Sequence, residues 1–532
     1  MRYTAINIGP ILATLSMARK PRELWSASYL FSYLMKRIMD YVPADCNFVS
    51  LSKYEGNDAP KGVGLYPDRV YVKGEFDFEV KRKDILINYA AEMGLTKKTI
   101  TEMTDKDKDL AYEEVCGYIN VMSAQINSEQ SESQTIKSLN HILDCLELNN
   151  RSVQEKVRYR FLGLIQKSYH SSVLRGAFPK NDFKSTLAEI ASIQLSAINQ
   201  DDWNGCRRFS VFRDKNIPEE EQLVDEDAFY VSLKNKFETD IKSYHKYICV
   251  VQADGDNMGK TFSHEKLPDG KAKEISQALL NFDCQVSKKI REFGGLPIYA
   301  GGDDLLFIAP VVGMNNTSIF DLIKGIDSSF EKVKETVEGL KLKDKNGIIS
   351  PSMSYGISIS YYKYPLYEAL KSAQHLLFDV AKEVDGKNAI AWNLRKSNGS
   401  SFSWEFNKGD LLKEFEGIIQ NSDVKDTLVS AVSHKIRENE GLLSLWLGNE
   451  KYEDRNTHFF EQYLEYDSEK DKEKYKGAVL KLLNKLYSKW PREKVMALSD
   501  KELKERMDKL VGGIYGLLRT AKFIKGEEVI DE

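Results

Sequence analysis

"IYAGGDDLLFIAP", residues 298–310, is an apolar run broken in its middle by two glycines and two aspartates. The flanks "LPIYA" (296–300) and "LLFIAP" (305–310) are short and apolar, so the interruption reads as the tip of a hairpin between two strands. Gly301 and Gly302 tolerate positive φ and let another backbone, or a phosphate, come close. Asp303 and Asp304 fall at or just past the turn. Successive strand side chains point to opposite faces, so the two acids can have different roles. Glycine and aspartate are also ordinary turn residues, and taken alone the motif is equally a polar hairpin tip.

The flanking elements bear on that choice. "YICVVQA" (247–253) is a nearly continuous apolar run, as in a strand covered on both faces. "KAKEISQALLNFDCQVSKKIREF" (271–293) has helical spacing and stops at Gly294-Gly295. After the hairpin come a helix over 318–340, an alternating strand "SMSYGISIS" (352–360), a helix over 366–384 and a last strand "NAIAW" (388–392). Strand–helix–strand–strand–helix–strand–helix–strand is the order of the palm of nucleotide cyclases and polymerases, with one extra helix–strand unit. It predicts a mixed sheet covered by helices on one face.

In such a sheet the first strand lies beside the hairpin. "VVQADGDNMGK" (250–260) puts Asp254 at the end of that strand, followed by Gly255 and Asp256. Asp254 is therefore expected to converge with Asp303 and Asp304. Clustered carboxylates repel, and holding them together calls for a cation. We expect Asp254, Gly255, Asp256, Asp303 and Asp304 around Mg²⁺ or Mn²⁺, with Asp254, Asp303 and Asp304 catalytic. Two such ions can activate a ribose 3′-hydroxyl and stabilise a triphosphate leaving group. The loop Asn257, Met258, Gly259 and Lys260 offers backbone N–H groups and an ammonium to phosphate. Lys382 and Lys387 in "DVAKEVDGKNAIAW" (379–392) can face the same phosphates; solvated lysines are the plainer alternative.

The rest of the 532 residues divides by pattern. "RYTAINI" (2–8) reads as a strand ending at Gly9-Pro10, followed by a helix whose stripe holds Leu24, Ser28, Phe31, Met35 and Ile38. "NFVSLS" (47–52) and "DRVYVKG" (68–74) then read as strands, giving half of a ferredoxin-like unit. Residues 97–200 are helical in spacing, 213–228 is a charged connection, and 408–525 reads as a helical bundle. The expected class is α+β: a degenerate first palm (1–96), a helical domain and connection (97–240), a second palm with the GGDD turn (241–398) and a C-terminal bundle (399–532).

Composition narrows the partners. The chain is 42% hydrophobic and 29% charged, with net charge −4, which argues against a broadly basic nucleic-acid surface. Its six cysteines, Cys46, Cys116, Cys145, Cys206, Cys249 and Cys284, form no C-x-x-C pair, so neither a zinc ribbon nor a disulfide scaffold is expected. No signal peptide or long apolar span is visible, and the chain reads as cytosolic.

"ADGDNMGK", "YAGGDDLLFIAP", "SYGISIS" and "AKEVDGKNAIAW" resemble the palm of GGDEF-type nucleotidyl cyclases. More closely, the chain resembles the large subunit of type III CRISPR effector complexes, of the Cmr branch. "INIGPILATLSMARKPRELWSASYLFSYLMK", "GLYPDRVYV" (64–72) and "FPKNDFKSTLAEIAS" (178–192) are similar to segments of that subunit. The resemblance covers about 1–75 and 175–395. It implies that the second palm joins ATP by 3′–5′ bonds into cyclic oligoadenylates once a guide RNA has brought the complex to its target RNA. It implies guide RNA, target RNA and other effector subunits as partners, and no membrane. It also implies that Asp254, Asp303 and Asp304 hold the metal with Asp256 nearby. The first palm, with Gly9-Pro10 in place of the acidic loop, would lack the carboxylates and help bind a second nucleotide, with Ser26 and Ser28 as acceptor-side contacts. An acceptor other than a nucleotide would give a different AMP-containing product. Many relatives begin with an HD nuclease; no histidine here is followed by Asp. The cysteine zinc site of the family is missing too, so no structural zinc is expected. A catalytically silent scaffold subunit and a free-standing cyclase acting on GTP are the competing readings.

Overall fold

"RYTAINI" alternates because each face of that strand serves a separate core. Tyr3 and Ala5 pack with Ile136, Leu139 and Leu143, while Ile6 and Ile8 pack with Leu24, Leu34 and Ile38. The computed structural model describes residues 1–49, 62–148, 155–177, 186–211, 213, 215–217, 222, 224–345, 347–421, 426–446, 449–463, 470–489 and 495–526. Expectations for 50–52 and 178–185 therefore lie outside the described residues.

The first sheet contains β1 (Arg2–Gly9), β2 (Asn47–Phe48), β3 (Arg69–Lys73) and β4 (Asn120–Asn127), in the order β2-β3-β1-β4, all antiparallel. The helix Pro21–Asp40 starts at a proline, whose missing N–H costs nothing in the first turn. Its Leu24, Ala27, Leu30, Phe31, Leu34, Met35 and Ile38 are all buried and form one stripe against the sheet. Each of the larger ones, Leu, Ile, Met and Phe, contributes about 1.5–3 kcal/mol on burial. The helix Glu132–Glu147 covers the other face. β4 corrects the purely helical reading of 97–240: those eight residues complete the first sheet.

The second sheet contains β5 (Tyr247–Asp256), β6 (Leu296–Gly301), β7 (Asp304–Pro310), β10 (Ser352–Tyr361), β11 (Ala389–Arg395) and β12 (Ser401–Asn407). A small ribbon, β8 (Lys343–Asp344) with β9 (Gly347–Ile348), precedes β10. The order is β12-β11-β10-β5-β7-β6. Its β10-β5-β7-β6 part repeats the order β4-β1-β3-β2 of the first sheet, and both are ferredoxin-like. β11 adds in parallel to β10 and β12 closes the edge, so the sheet runs past residue 398 into the range read as bundle.

Helices on one face only were expected; both faces are covered. Cys249, Val251 and Ala253 face the helices Lys271–Phe293 and Ile319–Gly339. Ile248 and Val250 belong to the same core as the first palm's Pro21–Asp40 helix. The two palms thus share apolar packing, which explains the unbroken hydrophobicity of "YICVVQA". A backbone bond joins them as well: Ala300 N–H donates to the Gly64 carbonyl at 2.9 Å. C-terminal helices, ending with Asp500–Lys525, pack beyond β12, where Trp392 Nε1 donates to Thr520 Oγ1 at 3.2 Å. Among the described residues no helix is long and apolar enough to cross a membrane.

Candidate active site

β5 is flanked by β10 and β7, so its C-terminal end emerges beside the β6–β7 turn. Gly255 N–H donates to the Asp303 carbonyl at 3.1 Å and ties the two together. A Cβ at Gly255 would lie 2.6 Å from Asp303 Cβ and 2.8 Å from its Oδ2, so only glycine admits Asp303 at this distance. In the turn, Gly301 pairs with Asp304, leaving Gly302 and Asp303 as the two turn residues, with Gly302 at φ 79°.

Asp304 is reached by solvent and Asp303 is half-exposed, yet protein crowds both from most directions, as on the floor of a cleft. That crowding pushes Asp303 up to about 7, with the Asp304 charge adding to it, and Asp304 up to about 6. The Gly302 N–H donates at 3.0 Å to Asp283 Oδ2, on the helix Lys271–Phe293. Asp283 is fully buried, its Oδ1 has no hydrogen-bond partner, and burial holds its carboxyl well above the usual range. Across the palm seam, Asp68 is raised first by burial and then, against the pull of Arg69, by the Asp304 charge.

Asp256 is fully buried and well held. Its Oδ2 accepts from Ser352 Oγ (2.7 Å), Ser354 Oγ (2.8 Å) and Asn388 N–H (2.9 Å). Lys382 Nζ lies 3.3 Å from Asp256 Oδ1, donates to the Gly255 carbonyl at 3.0 Å and pairs with Asp254 Oδ2. Burial, then the charge of Lys387, lowers Lys382 to about 8, so it remains a cation at neutral pH. Lys382 reaches this place because the helix Leu366–His375 continues through a π-turn at Leu376–Val380, a feature often found at functional sites.

Three carboxylates were expected to meet around metal. They share one neighbourhood, but among the described residues no three His, Cys, Asp or Glu side chains stand close enough to share one ion. Lys382 pairs with Asp254 and Asp256, while the Asp304 charge adds to the rise at Asp303. The donor set itself, carboxylate oxygens with the Gly255 carbonyl, is what hard divalent cations take. The ammonium of Lys382 already sits on three of those oxygens as a stand-in cation.

The remaining predicted residues scatter. Asn257 opens the helix Met258–Phe262 at φ 64° and donates to the Ser350 carbonyl at 3.3 Å. Met258 is buried, Gly259 borders open space, and Lys260 is exposed near Asp344 (3.4 Å). Lys387 is half-buried in a turn beside Lys382. Ser26 and Ser28 are corrected: both are buried in the packing surface of their helix, Ser28 against Gly64, and neither is open to a ligand.

The first palm is also not wholly stripped of acids. Asn7 pairs with Arg69 as part of the β1–β3 ladder, and Ile8 N–H donates to the Asp68 carbonyl at 3.0 Å. Asp68 thus occupies the register position of Asp303. Sequence reasoning missed Asp283, Ser352 and Ser354. An acid inside the apolar stripe Leu279–Leu280–Phe282–Val286 was the available signal for the first, and serines two apart on a strand for the others.

Residues 247–391 match the family described as Cas10/Cmr2, second palm domain, and residues 3–47 match CRISPR-associated protein Cmr2, N-terminal. The CRISPR system Cmr subunit Cmr2 of Pyrococcus furiosus is 32% identical over 247 residues, covering 36% of this chain and 27% of that protein. The match therefore spans well under half of that relative's length. A chain of the type III-B Cmr-beta assembly in its apo state aligns with TM-score 0.51 at 11% identity, over 88% of this chain and 78% of its own. A chain of Cmr-beta bound to cognate target RNA aligns with TM-score 0.50 at 11% identity, over 91% and 83%. At such identity these two show likeness of fold.

Proposed function

We propose that this chain is a large subunit of the Cmr branch of type III CRISPR complexes, as its matches to the Cas10/Cmr2 second palm and the Cmr2 N-terminal region support, and that its second palm is a nucleotidyltransferase acting on ATP. The product is a cyclic oligoadenylate or another AMP-containing messenger. The observation that carries this reading is the backbone bond between Gly255 and Asp303, which brings the acid-bearing end of β5 against the GGDD turn.

Asp254, the Gly255 carbonyl and Asp303 are the residues that would hold Mg²⁺ or Mn²⁺. Such an ion activates a ribose hydroxyl and neutralises triphosphate charge. The protein's own groups do the rest. Lys382 compensates Asp254 and Asp256, and Lys387 with the 257–260 loop receives phosphate. Asp256, fixed by Ser352, Ser354 and Asn388, keeps the strand end rigid, which is what positioning of a reacting group requires. By kinship, guide RNA, target RNA and the other effector subunits are the partners, and target-RNA binding is the trigger.

The test is incubation of the assembled complex with guide RNA, target RNA, labelled ATP and Mg²⁺ or Mn²⁺. A labelled adenylate product that depends on target RNA is expected. No product, with or without added small-molecule acceptors, leaves the scaffold reading; product from GTP in preference to ATP leaves the cyclase reading.

A further inference from the structure

The turn that carries Lys387 is built against backbone preference. Gly386, Lys387 and Asn388 follow one another at φ 79°, 52° and 49°, and two of the three are not glycine. L-residues other than Asn and Asp rarely adopt this left-handed region, so contacts from outside must hold Lys387 there. Two of those contacts come from the end of β12 and the residue after it. Asn407 Nδ2 donates to the Lys387 carbonyl at 2.7 Å, and Lys408 N–H donates to the Asn388 carbonyl at 2.8 Å. Asn388 N–H in turn donates to Asp256 at 2.9 Å. A short chain of hydrogen bonds thus runs from β12 through the turn to the acid beneath the candidate site.

Asn407 and Lys408 are also the junction between sheet and bundle. Asn407 ends β12, and Lys408 immediately precedes the helix Gly409–Gln420. Lys408 is buried and anchored: its Nζ lies 2.6 Å from both Asp327 oxygens, and Tyr355 Oη donates to the same carboxylate at 2.7 Å. A cavity of about 1280 Å³ separates this junction from the helix Lys470–Ser488, with Gly386, Asn388, Asn407 and Lys408 among its lining residues.

We infer that Asn407, backed by the anchored Lys408, is a positioning residue for the nucleotide site. It keeps the 386–388 turn left-handed, so that Lys387 is presented to phosphate and Asn388 to Asp256. The placement of the C-terminal bundle is thereby felt at the site through this junction. The inference rests on the proposed reading of Lys387 as a phosphate contact.

The experiment compares Asn407→Ala, Lys387→Ala and the double variant, each as the full chain in its assembled complex. Asn407→Ala is expected to raise the KM for ATP about tenfold, the weight of the charged hydrogen bond that the displaced Lys387 ammonium would lose to phosphate, with kcat altered less than about twofold. The double variant should lose less than the two single losses combined, because Asn407 acts in large part through Lys387. In the isolated chain without nucleotide, amide hydrogen exchange at 387–389 should speed up locally in Asn407→Ala. Additive losses, or unchanged exchange at 387–389, overturn the inference. Exchange raised evenly over the whole chain marks a general structural role and overturns it too. A wild-type complex that makes no nucleotide product removes the nucleotidyltransferase reading instead, while the exchange result still decides whether Asn407 holds the turn.

Discussion

The two palms share one strand order and differ at one corner. In each, the central strand meets the strand next to it through the same bond, Ile8 N–H to the Asp68 carbonyl in the first and Gly255 N–H to the Asp303 carbonyl in the second. By that register Asn7 stands where Asp254 stands, Asp68 where Asp303 stands, and Arg69 where Asp304 stands. The first corner carries its own countercharge: Arg69 pairs with Asp144 at 2.8 Å and Glu147 at 2.7 Å. The second corner has two adjacent acids raised by crowding, and its cation, Lys382, is spent on Asp254 and Asp256. The same backbone therefore supports two electrostatic states. What separates the two corners is two side chains, Asn7 against Asp254 and Arg69 against Asp304, since both keep an aspartate between them.

The largest effect should come from copying the first corner into the second. Asp254→Asn, the counterpart of Asn7, should lower product formation from labelled ATP by about 100-fold or more while leaving the thermal transition in place. Product at the wild-type rate would mean that this corner is not where the palms differ in chemistry. Next is the position that holds Ile8 in one palm and glycine in the other. Gly255→Ala forces a methyl to 2.6 Å from Asp303 Cβ, and overpacking of this kind costs about 1–3 kcal/mol, read from denaturant unfolding. An unchanged midpoint would show that the two strand ends are less tightly held than the backbone bond implies.

A smaller, pH-dependent effect follows from the acids. Asp303 titrates near 7 in the folded protein against about 3.8 unfolded, so its charge costs stability at pH 8 and the cost fades as pH falls towards 4. Asp303→Asn should therefore stabilise the cation-free protein at pH 8 by about 1–2 kcal/mol, less than the full shift because water reaches the site. At pH 4 it should do little; equal gains at both pH values would contradict the sign. The smallest effect is at Asp283, which holds the turn from the helix Lys271–Phe293. Asp283→Ala removes the acceptor for Gly302 N–H and should cost about 1 kcal/mol, seen as a lower unfolding midpoint.

Much of this was legible beforehand. Apolar strands and amphipathic helices from 247 to 392 declare themselves by period, and the acids were visible because each follows an apolar run. β4 and β12 were not recognised. "NVMSAQIN" keeps Met122, Ser123 and Gln125 at least partly exposed, so its alternation is weak, whereas the aromatic alternation of "SFSWEFN" was a usable signal at a wrongly drawn boundary. Lys382 was visible as a cation but not its partners, since the π-turn at Leu376–Val380 sets where its side chain lands.

By itself, then, the sequence determined which segments are strands and helices, that two ferredoxin-like units are present, and that acids lie at the strand end and turn of the second. Those properties depend on neighbours a few residues apart, and chain order records them directly. Only the tertiary structure decided that the palms share a core, that Ser26 and Ser28 are packed rather than presented, and that Asp68 mirrors Asp303. It alone paired Lys382 with Asp254 and Asp256, and Asn407 with the Lys387 turn. Burial and charge pairing are set by groups 20 to more than 100 residues apart, meeting in a geometry that local pattern does not encode.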